Sequence, residues 1–286
     1  QPEQFMPSFR LDRFLTLYFF HPLVRSGIGT GRQGIPILMY HSISDEREDD
    51  LHPYYRINTS STVFAEHMRF LSEHDYSVID LKVLDNFYKD NNKPEAKHAV
   101  ISFDDGYRDF YTNAFPILRK YNLPATVFLP TSYIGTGKKH LKGKEHLNWS
   151  DVNELAQNGV CFGSHSVTHP IMSSLKEEEL EYELRVSKEV IEDKTGEKAE
   201  NFSYPFRFPE EDRKFTAKLA ELLQKIGYRS GVSTRIGTTS KEDDKYFRKR
   251  LPVNSDDDIR FFKAKLEGAY DWMHKPQYLI KQLRRH

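Results

Sequence analysis

The stretch Ala99-Val-Ile-Ser-Phe-Asp104-Asp105-Gly106-Tyr107 decides how this chain is read. An apolar, β-branched run stops abruptly at two adjacent carboxylates and a glycine, the pattern of a buried strand carrying Asp-Asp at its C-terminal tip. Two like charges side by side repel, and a desolvated cleft tolerates both only if a cation or a proton intervenes. A metal held by one carboxylate, with the other left to move protons, resolves the conflict. Such a site needs further ligands, and His165-Ser-Val-Thr-His169 supplies two imidazoles four residues apart. A metal-binding helix of the zinc-protease kind would carry Glu directly after the first His, where this chain has Ser166. Alone the spacing is weak, because histidines so placed are often surface or capping residues. Joined to a strand-end Asp-Asp, two His and one carboxylate make an open facial site with positions left for water and substrate.

Outward from these motifs, strand-like and helix-like segments alternate from about residue 35, which argues for α/β architecture with parallel strands. Strands are expected at 35–40, 76–80, 99–103, 125–129, 160–164, 201–204, 228–232 and 246–253. Helices are expected from Ser61 or Thr62, over 83–89, after Asp105 despite Pro116, and over 212–226, closed by Gly227. Ser150 is expected to cap a helix ending near Gly159. Ser174-x-x-Glu177 and Ser255-x-x-Asp258 read as capping boxes opening two more, the first a long charged helix that stops at Gly196. No Gly/Ser/Pro linker splits the series, so seven or eight strand–helix units in one domain favour a (β/α) barrel over an open sheet. Catalytic groups then sit at the C-terminal ends of strands, where His41, Asp104, Asp105, His165 and Tyr204 all fall.

Composition bounds the function. The 286 residues carry 42 Lys+Arg against 42 Asp+Glu, so no global basic field favours nucleic acid. Cys161 is the sole cysteine, which excludes an internal disulfide, and its apolar context reads as a buried, inert thiol. No run of about twenty apolar residues exists, and the patch 14–20 is too short to span a membrane. The chain starts at Gln1 rather than Met. Removal of a leader would leave such a start and favour the cell envelope; otherwise the cytoplasm is expected.

Phe103-Asp104-Asp105-Gly106-Tyr107 and Ser164-His165-Ser-Val-Thr-His169-Pro170 together resemble the first two motifs of the polysaccharide deacetylases, the NodB-homology group of carbohydrate esterases. The resemblance covers about residues 35–271 and implies a distorted (β/α)7 barrel that removes acetyl groups from N-acetylated sugars. It implies Asp105, His165 and His169 as ligands of one divalent metal ion, zinc first, with cobalt, nickel or iron as alternatives. Asp104 would be the general base toward water. Ser203-Tyr204-Pro205-Phe206 resembles the third motif, with the Tyr204 N–H, or a neighbour, as oxyanion donor. The histidine that the common family pattern carries near the C-terminus is missing: His274 lies in Asp-Trp-Met-His-Lys, and His286 is the last residue. In the branch acting on poly-β-1,6-N-acetylglucosamine the acid comes from the first strand, and Leu38-Met-Tyr-His41 resembles that element. His41 is therefore the expected general acid; the alternative is a packed strand-end histidine.

Arg207 stands where that branch has Gly, and it could pair with Asp104, reach substrate or face solvent. Arg250, at the end of a late strand, either orients Asp104 or is an ordinary surface arginine. Tyr107, closing the first motif, completes the candidates for substrate contact. Lys138, Lys139, Lys142 and Lys144 read as a solvated loop, and the acidic run 177–183 as a solvated helix face near its N-terminus. Tyr54 or Tyr55 stacks on a sugar or packs in its loop. Residues 1–34 are expected to pack on the barrel or touch a membrane surface, and 272–286 to form a basic tail. The expected partner is an N-acetylated glycan of the exopolysaccharide type. Rivals are another amide substrate (peptidoglycan, a chitin-like oligomer, a small cyclic amide) and a catalytically silent glycan-binding barrel.

Overall fold

The computed structural model describes residues 9–27, 34–89, 97–135, 137 and 141–283. Ten strands run in chain order: β1 (Ile37–Tyr40), β2 (Ser42–Ile43), β3 (Asn58–Thr59), β4 (Tyr76–Val78), β5 (Lys97–Phe103), β6 (Thr126–Leu129), β7 (Cys161–Ser164), β8 (Asn201–Ser203), β9 (Ser230–Ile236) and β10 (Arg248–Pro252). Seven of them close a parallel barrel in the order β1-β10-β9-β8-β7-β6-β5, sealed where β5 pairs back onto β1. β4 lies outside the ring: it pairs with the first residues of β5, Lys97 to Ala99, whereas Ser102 and Phe103 pair with β6. Helices between the strands surround the barrel, which is the distorted (β/α)7 architecture. The distortion includes a register shift between Arg248 and Arg250, where β10 meets β9.

Alternation along the strands sorts side chains into two environments. Leu38, Tyr40, Ile101, Phe103, Val127, Leu129 and Phe162 point outward into the cluster shared with the helices. Ile37, Val100, Phe128 and Val232 point inward and form an apolar plug with Leu81 and Leu84. Phe128 fills the barrel so tightly that a Cβ on Gly163 would lie 2.6 Å from its ring, which is why β7 carries glycine there. The same parity carried upward puts His41, Asp104, His165, Ser203 and Arg250 on the inner side of the strand tops. The bottom of the barrel is dry, and its mouth is polar.

Local chemistry moved several helix starts from their expected places. Asn148, not Ser150, caps Trp149–Gln157: its side chain accepts from Asp151 N–H and Asp151 returns a bond to Asn148 N–H. Ser174 sits in a short 3-10 turn, and Glu177–Thr195 starts after Lys176, whose N–H donates to the Glu179 carboxylate. Asp258 alone caps Ile259–Leu266, while Ser255 ties two loops together by accepting from Ser60 N–H and donating to the Asn58 carbonyl. Pro116 lies just after the π-helical turn Phe110–Ala114, whose wider i→i+5 bonding accommodates a residue without N–H inside the continuous helix. Cys161 is half-buried rather than fully buried; burial with Asp80 beside it pushes the thiol up to about 12, so it is inert as expected.

The terminal segments are structured. Residues 11–25 form helix against Ile259–Leu266, and Arg13 pairs with Asp258 at 2.5 Å. Residues 272–283, expected as a tail, include the helix His274–Leu283, whose Gln277 donates to the Thr234 carbonyl and accepts from Ile236 N–H of β9. Lys138, Lys139 and Arg284 to His286 lie outside the described residues. No helix among the described residues is long and apolar enough to cross a membrane.

One buried polar group ties the barrel to the helix Ile259–Leu266. His67 stacks on Phe262 with ring centroids 4.0 Å apart, accepts from the Tyr40 hydroxyl at Nδ1 and donates from Nε2 to the Asp257 carbonyl. Both ring nitrogens are satisfied only in the neutral form, and burial lowers the pKa from 6.5 to about 4. The unfolded chain therefore binds the proton first, and stability falls as pH descends from 6.5 to 4, in total on the order of 3 kcal/mol. Urea midpoints of the wild type and His67→Gln across this range are expected to converge as pH falls; parallel curves would exclude the effect.

Candidate active site

Strand register brings the site together before any side chain is considered. Tyr40 pairs with Phe103, so the next residues, His41 and Asp104, leave adjacent strand ends; Asp104 N–H donates to the Tyr40 carbonyl at 3.0 Å. Ser164 pairs with Phe202, which sets His165 beside Ser203. Asp105 would face away by alternation. It turns in because its backbone sits at φ 69, with Gly106 at φ 59 directly behind it. Ser166, His169 and Phe206 also lie at φ 67, 55 and 55, so the mouth of the barrel concentrates the left-handed backbone that non-glycine residues avoid.

The first cluster is Asp105, His165 and His169, all buried, with one candidate ligand atom from each within 4.8 Å of the others. Asp105 Oδ1 lies 3.4 Å from His165 Nε2 and 3.3 Å from His169 Nε2. His165 Nδ1 donates to the Ser203 carbonyl at 2.8 Å, which orients the ring with Nε2 toward Asp105, where the neutral ring would offer its lone pair to a cation. The donor set and its orientation fit a divalent cation. Burial pushes the His165 pKa down, but Asp104 and Asp105 outweigh it and raise the net value. Burial likewise pushes Asp105 up, and hydrogen bonds from both imidazoles bring it well below the usual carboxylate range.

The loop between the two histidines is clamped from below by Glu183 on Glu177–Thr195. Its carboxylate accepts from Val167 N–H at 2.7 Å, Thr168 N–H at 2.9 Å and the Thr168 hydroxyl at 2.7 Å. Ser166 Oγ accepts from His169 N–H, and Ser164 Oγ accepts from Ser166 N–H. Glu183 is buried, which corrects the expectation that the whole run 177–183 is a solvated face. Alternation of charge in sequence does not reveal which glutamate of a run turns inward.

The second cluster is Asp104 and Arg250. Arg250, fully buried, reaches across the barrel from β10 and donates from Nη1 and Nη2 to the two Asp104 oxygens at 2.8 and 2.7 Å. Ser203 bridges them, accepting from Arg250 and donating to Asp104, and Arg250 Nε donates to the Ser233 carbonyl. Arg250 is therefore not the surface arginine of the alternative sequence reading, and it lies against Asp104. Burial pushes the Asp104 carboxyl up, but Arg250 opposite it wins and holds the pKa at about 2. Asp104 is therefore an anion at any working pH.

His41 is flanked by the same two carboxylates; burial lowers its pKa, with Asp105 and Asp104 opposing. Its strand continues directly into β2, and that segment is anchored by Asp109. The Asp109 carboxylate accepts from the Ser42 hydroxyl and from Ile43 N–H, while Asn113 donates to the Ile43 carbonyl. The helix that follows Asp-Asp thus also fixes the loop that carries His41.

The remaining candidates divide. The Tyr204 N–H donates to the Val232 carbonyl at 3.0 Å and is committed to the sheet. Its ring is buried edge-on against Phe208, within the wall of the barrel. Pro205 has no N–H, and the next amide of the motif belongs to Phe206. That residue's half-exposed ring stands edge-on to His169 with centroids 4.3 Å apart. Arg207 turns to the rim and pairs with Glu211, away from Asp104. Tyr107 is buried beside His146; burial and the neighbouring Asp105 both raise its phenol pKa. Lys144, expected in a solvated loop, is largely buried and pairs with Glu46 at 2.5 Å. Tyr55 is exposed in the loop after β3's partner strand, edge-on to Tyr54.

Comparison with known proteins gives a consistent family assignment. The profile of the family described as polysaccharide deacetylase matches residues 91–231. A putative polysaccharide deacetylase of Bacillus subtilis, YxkH, is 33% identical over 221 residues, covering 77% of this chain and 71% of that protein. The poly-beta-1,6-N-acetyl-D-glucosamine N-deacetylase of Staphylococcus aureus is 23% identical over 225 residues, covering 75% of this chain and 73% of that one. Among solved structures, the Streptococcus pyogenes deacetylase PplD in complex with acetate superposes with a TM-score of 0.72 at 22% identity, covering 82% of this chain and 98% of that one. IcaB from Ammonifex degensii gives 0.65 at 18% identity, over 82% and 97%; both likenesses speak to the fold. The chain belongs to the polysaccharide deacetylase family.

Proposed function

We propose that this protein is a metal-dependent hydrolase that removes N-acetyl groups from an N-acetylglucosamine-containing polysaccharide and releases acetate. The observation that carries the reading is the meeting, at one strand-end mouth, of a two-histidine, one-carboxylate set with a second carboxylate kept ionised by Arg250. The curated name of the S. aureus relative supports the glycan class.

In this reading Asp105, His165 and His169 hold the cation, zinc before cobalt, nickel or iron. Bound there, it supplies Lewis acidity, lowering the pKa of water and polarising the acetamide carbonyl. Asp104 accepts the proton of the attacking water. Its low pKa makes it a weak base by itself, and Arg250 fixes its orientation so that both oxygens keep one geometry. The Phe206 N–H, rather than that of Tyr204, faces the developing oxyanion. His41 gives its proton to the leaving nitrogen, because an amine anion is too poor a leaving group to depart unprotonated. The depressed pKa of His41 suits donation: a proton placed there is held loosely. Phe206 and Tyr55 offer exposed ring faces on which a sugar can stack.

Asp104→Asn and His165→Ala should each abolish acetate release from N-acetylglucosamine oligomers; activity retained in either variant sinks the assignment. His41→Ala should lose roughly 10²–10⁴-fold in kcat on the oligomers and far less on an aryl acetate, whose phenolate leaves without a proton. Equal losses on both substrates would remove His41 from the role of acid. Glu183→Gln keeps the shape of the side chain but turns an amide into the clamp, and it should weaken zinc affinity by about 10–100-fold. Competition titration with a chelating dye measures this independently of turnover, and wild-type affinity in the variant would reduce Glu183 to a packing residue.

A further inference from the structure

Residues 11–25 form one continuous helical rod, Leu11–Leu15, Thr16–Phe20 and His21–Arg25 in succession. Its inner stripe is fully committed. Thr16, Leu17 and His21 are buried, Asp12 accepts from the Tyr270 hydroxyl at 2.8 Å, and Trp272 Nε1 donates to Thr16 at 3.0 Å. His21 meets Glu267 at 2.7 Å and Phe20 stacks on Trp272 at 4.8 Å.

The outer stripe is largely apolar. Leu11, Phe14, Tyr18, Pro22 and Arg25 recur at helical spacing on the exposed side, with Phe19 beside them and Phe9 just before. Relative exposures are 69% for Phe9, 56% for Leu11, 46% for Phe14, 59% for Tyr18 and 58% for Phe19. A surface helix of a globular protein turns one apolar stripe to the core and charge to water. This rod holds its inner face mainly by polar contacts and turns its apolar stripe outward, and that stripe has no acid among its exposed residues. The charges at its edge are cationic: Arg25 at one end, and Arg260, whose guanidinium lies 4.8 Å from the Tyr18 ring centroid. The nearby acids Asp258 and Glu267 are engaged by Arg13 and His21.

We propose that this outer stripe lies in the interface of an anionic lipid bilayer, its rings at the level of the headgroups and its arginines on phosphate. The rod is pinned along its inner face, so docking needs no unfolding and orients the barrel. Its N-terminal end reaches the strand-end side of the barrel, where Arg13 donates to the Asp256 carbonyl and Arg56 pairs with Asp256. The mouth holding His41 and Asp104 opens on that same side. A docked enzyme therefore meets its glycan at the membrane surface, a placement that rests on the proposed function, whereas the docking itself does not.

Sedimentation of the full chain with phosphatidylcholine vesicles, with and without phosphatidylglycerol, tests the docking without any turnover. The wild type should bind the anionic vesicles, and Phe14→Ser/Tyr18→Ser/Phe19→Ser should lose at least tenfold in partitioning. Arg25→Glu, a change at an exposed end that leaves the fold alone, should lose several-fold. Deacetylation of soluble oligomers should be unchanged in both. No binding by the wild type, equal binding by the variants, or a wild-type dimer in solution that the triple variant dissolves would each overturn the proposal.

Discussion

The bidentate ion pair between Asp104 and Arg250 is the interaction on which the rest of the site depends. A guanidinium with no exposure inside a barrel is expensive to desolvate, and only a well-placed anion with every donor satisfied makes it tolerable. Asp104 and Ser102 from β5, Ser203 from β8 and the Ser233 carbonyl from β9 provide those partners, so three strands meet on one side chain. Removing either member of such a pair typically costs about 3–5 kcal/mol, because the other is left charged and buried. The pair therefore couples closure of the barrel to the state of the Asp104 carboxylate: the ring cannot place Arg250 without also fixing Asp104.

That pair also gives two adjacent aspartates different electrostatic surroundings. They share a peptide bond and nearly the same burial, yet Asp104 is neutralised by a fixed cation and Asp105 by two imidazoles whose charge depends on protonation. A carboxylate already held by guanidinium has its oxygens occupied and makes a poor ligand. The one facing imidazoles has an oxygen that a cation can share with two neutral nitrogens. Environment separates the roles, as it does wherever paired carboxylates divide acid from base chemistry.

How much of this could be read from the chain follows from which interactions are local. Asp104, Asp105, His165 and His169 were legible because each motif is contiguous and sits where an apolar run ends. His41 was legible only through the likeness of 38–41 to a known element. Arg250 was left as an even choice, since nothing in its own neighbourhood says that its side chain crosses the barrel. Ser203 lay inside a quoted motif and passed unnoticed; its role depends on two residues far away in sequence. Glu183 was misread because its neighbours are solvated glutamates, and only the return of the helix beneath the histidine loop buries it. The Tyr204 amide was misassigned because pairing of β8 with β9, a long-range fact, decides whether that N–H is available. The cap errors share one cause: a serine three residues before an acid is a capping box only if the helix starts there, and tertiary contacts set the start.

The charges inside the mouth give the last step. Asp104 is paired with Arg250, and Asp105 places a further negative charge beside His165, His169 and His41. Both aspartates act on His165, whose pKa is raised despite its burial. A divalent cation among these ligands would reverse the sign of the pocket, turning one surplus negative charge into one surplus positive. A pocket of that sign favours neutral imidazoles as ligands and lowers the cost of negative charge developing on a carbonyl oxygen at the Phe206 amide. The same reversal bears on His41, which would face a net cation and give up a proton more readily still. On the proposed function, one arrangement of fixed charges would thus meet three demands: ligands without protons, a base that stays ionised, and an acid that does not hold on.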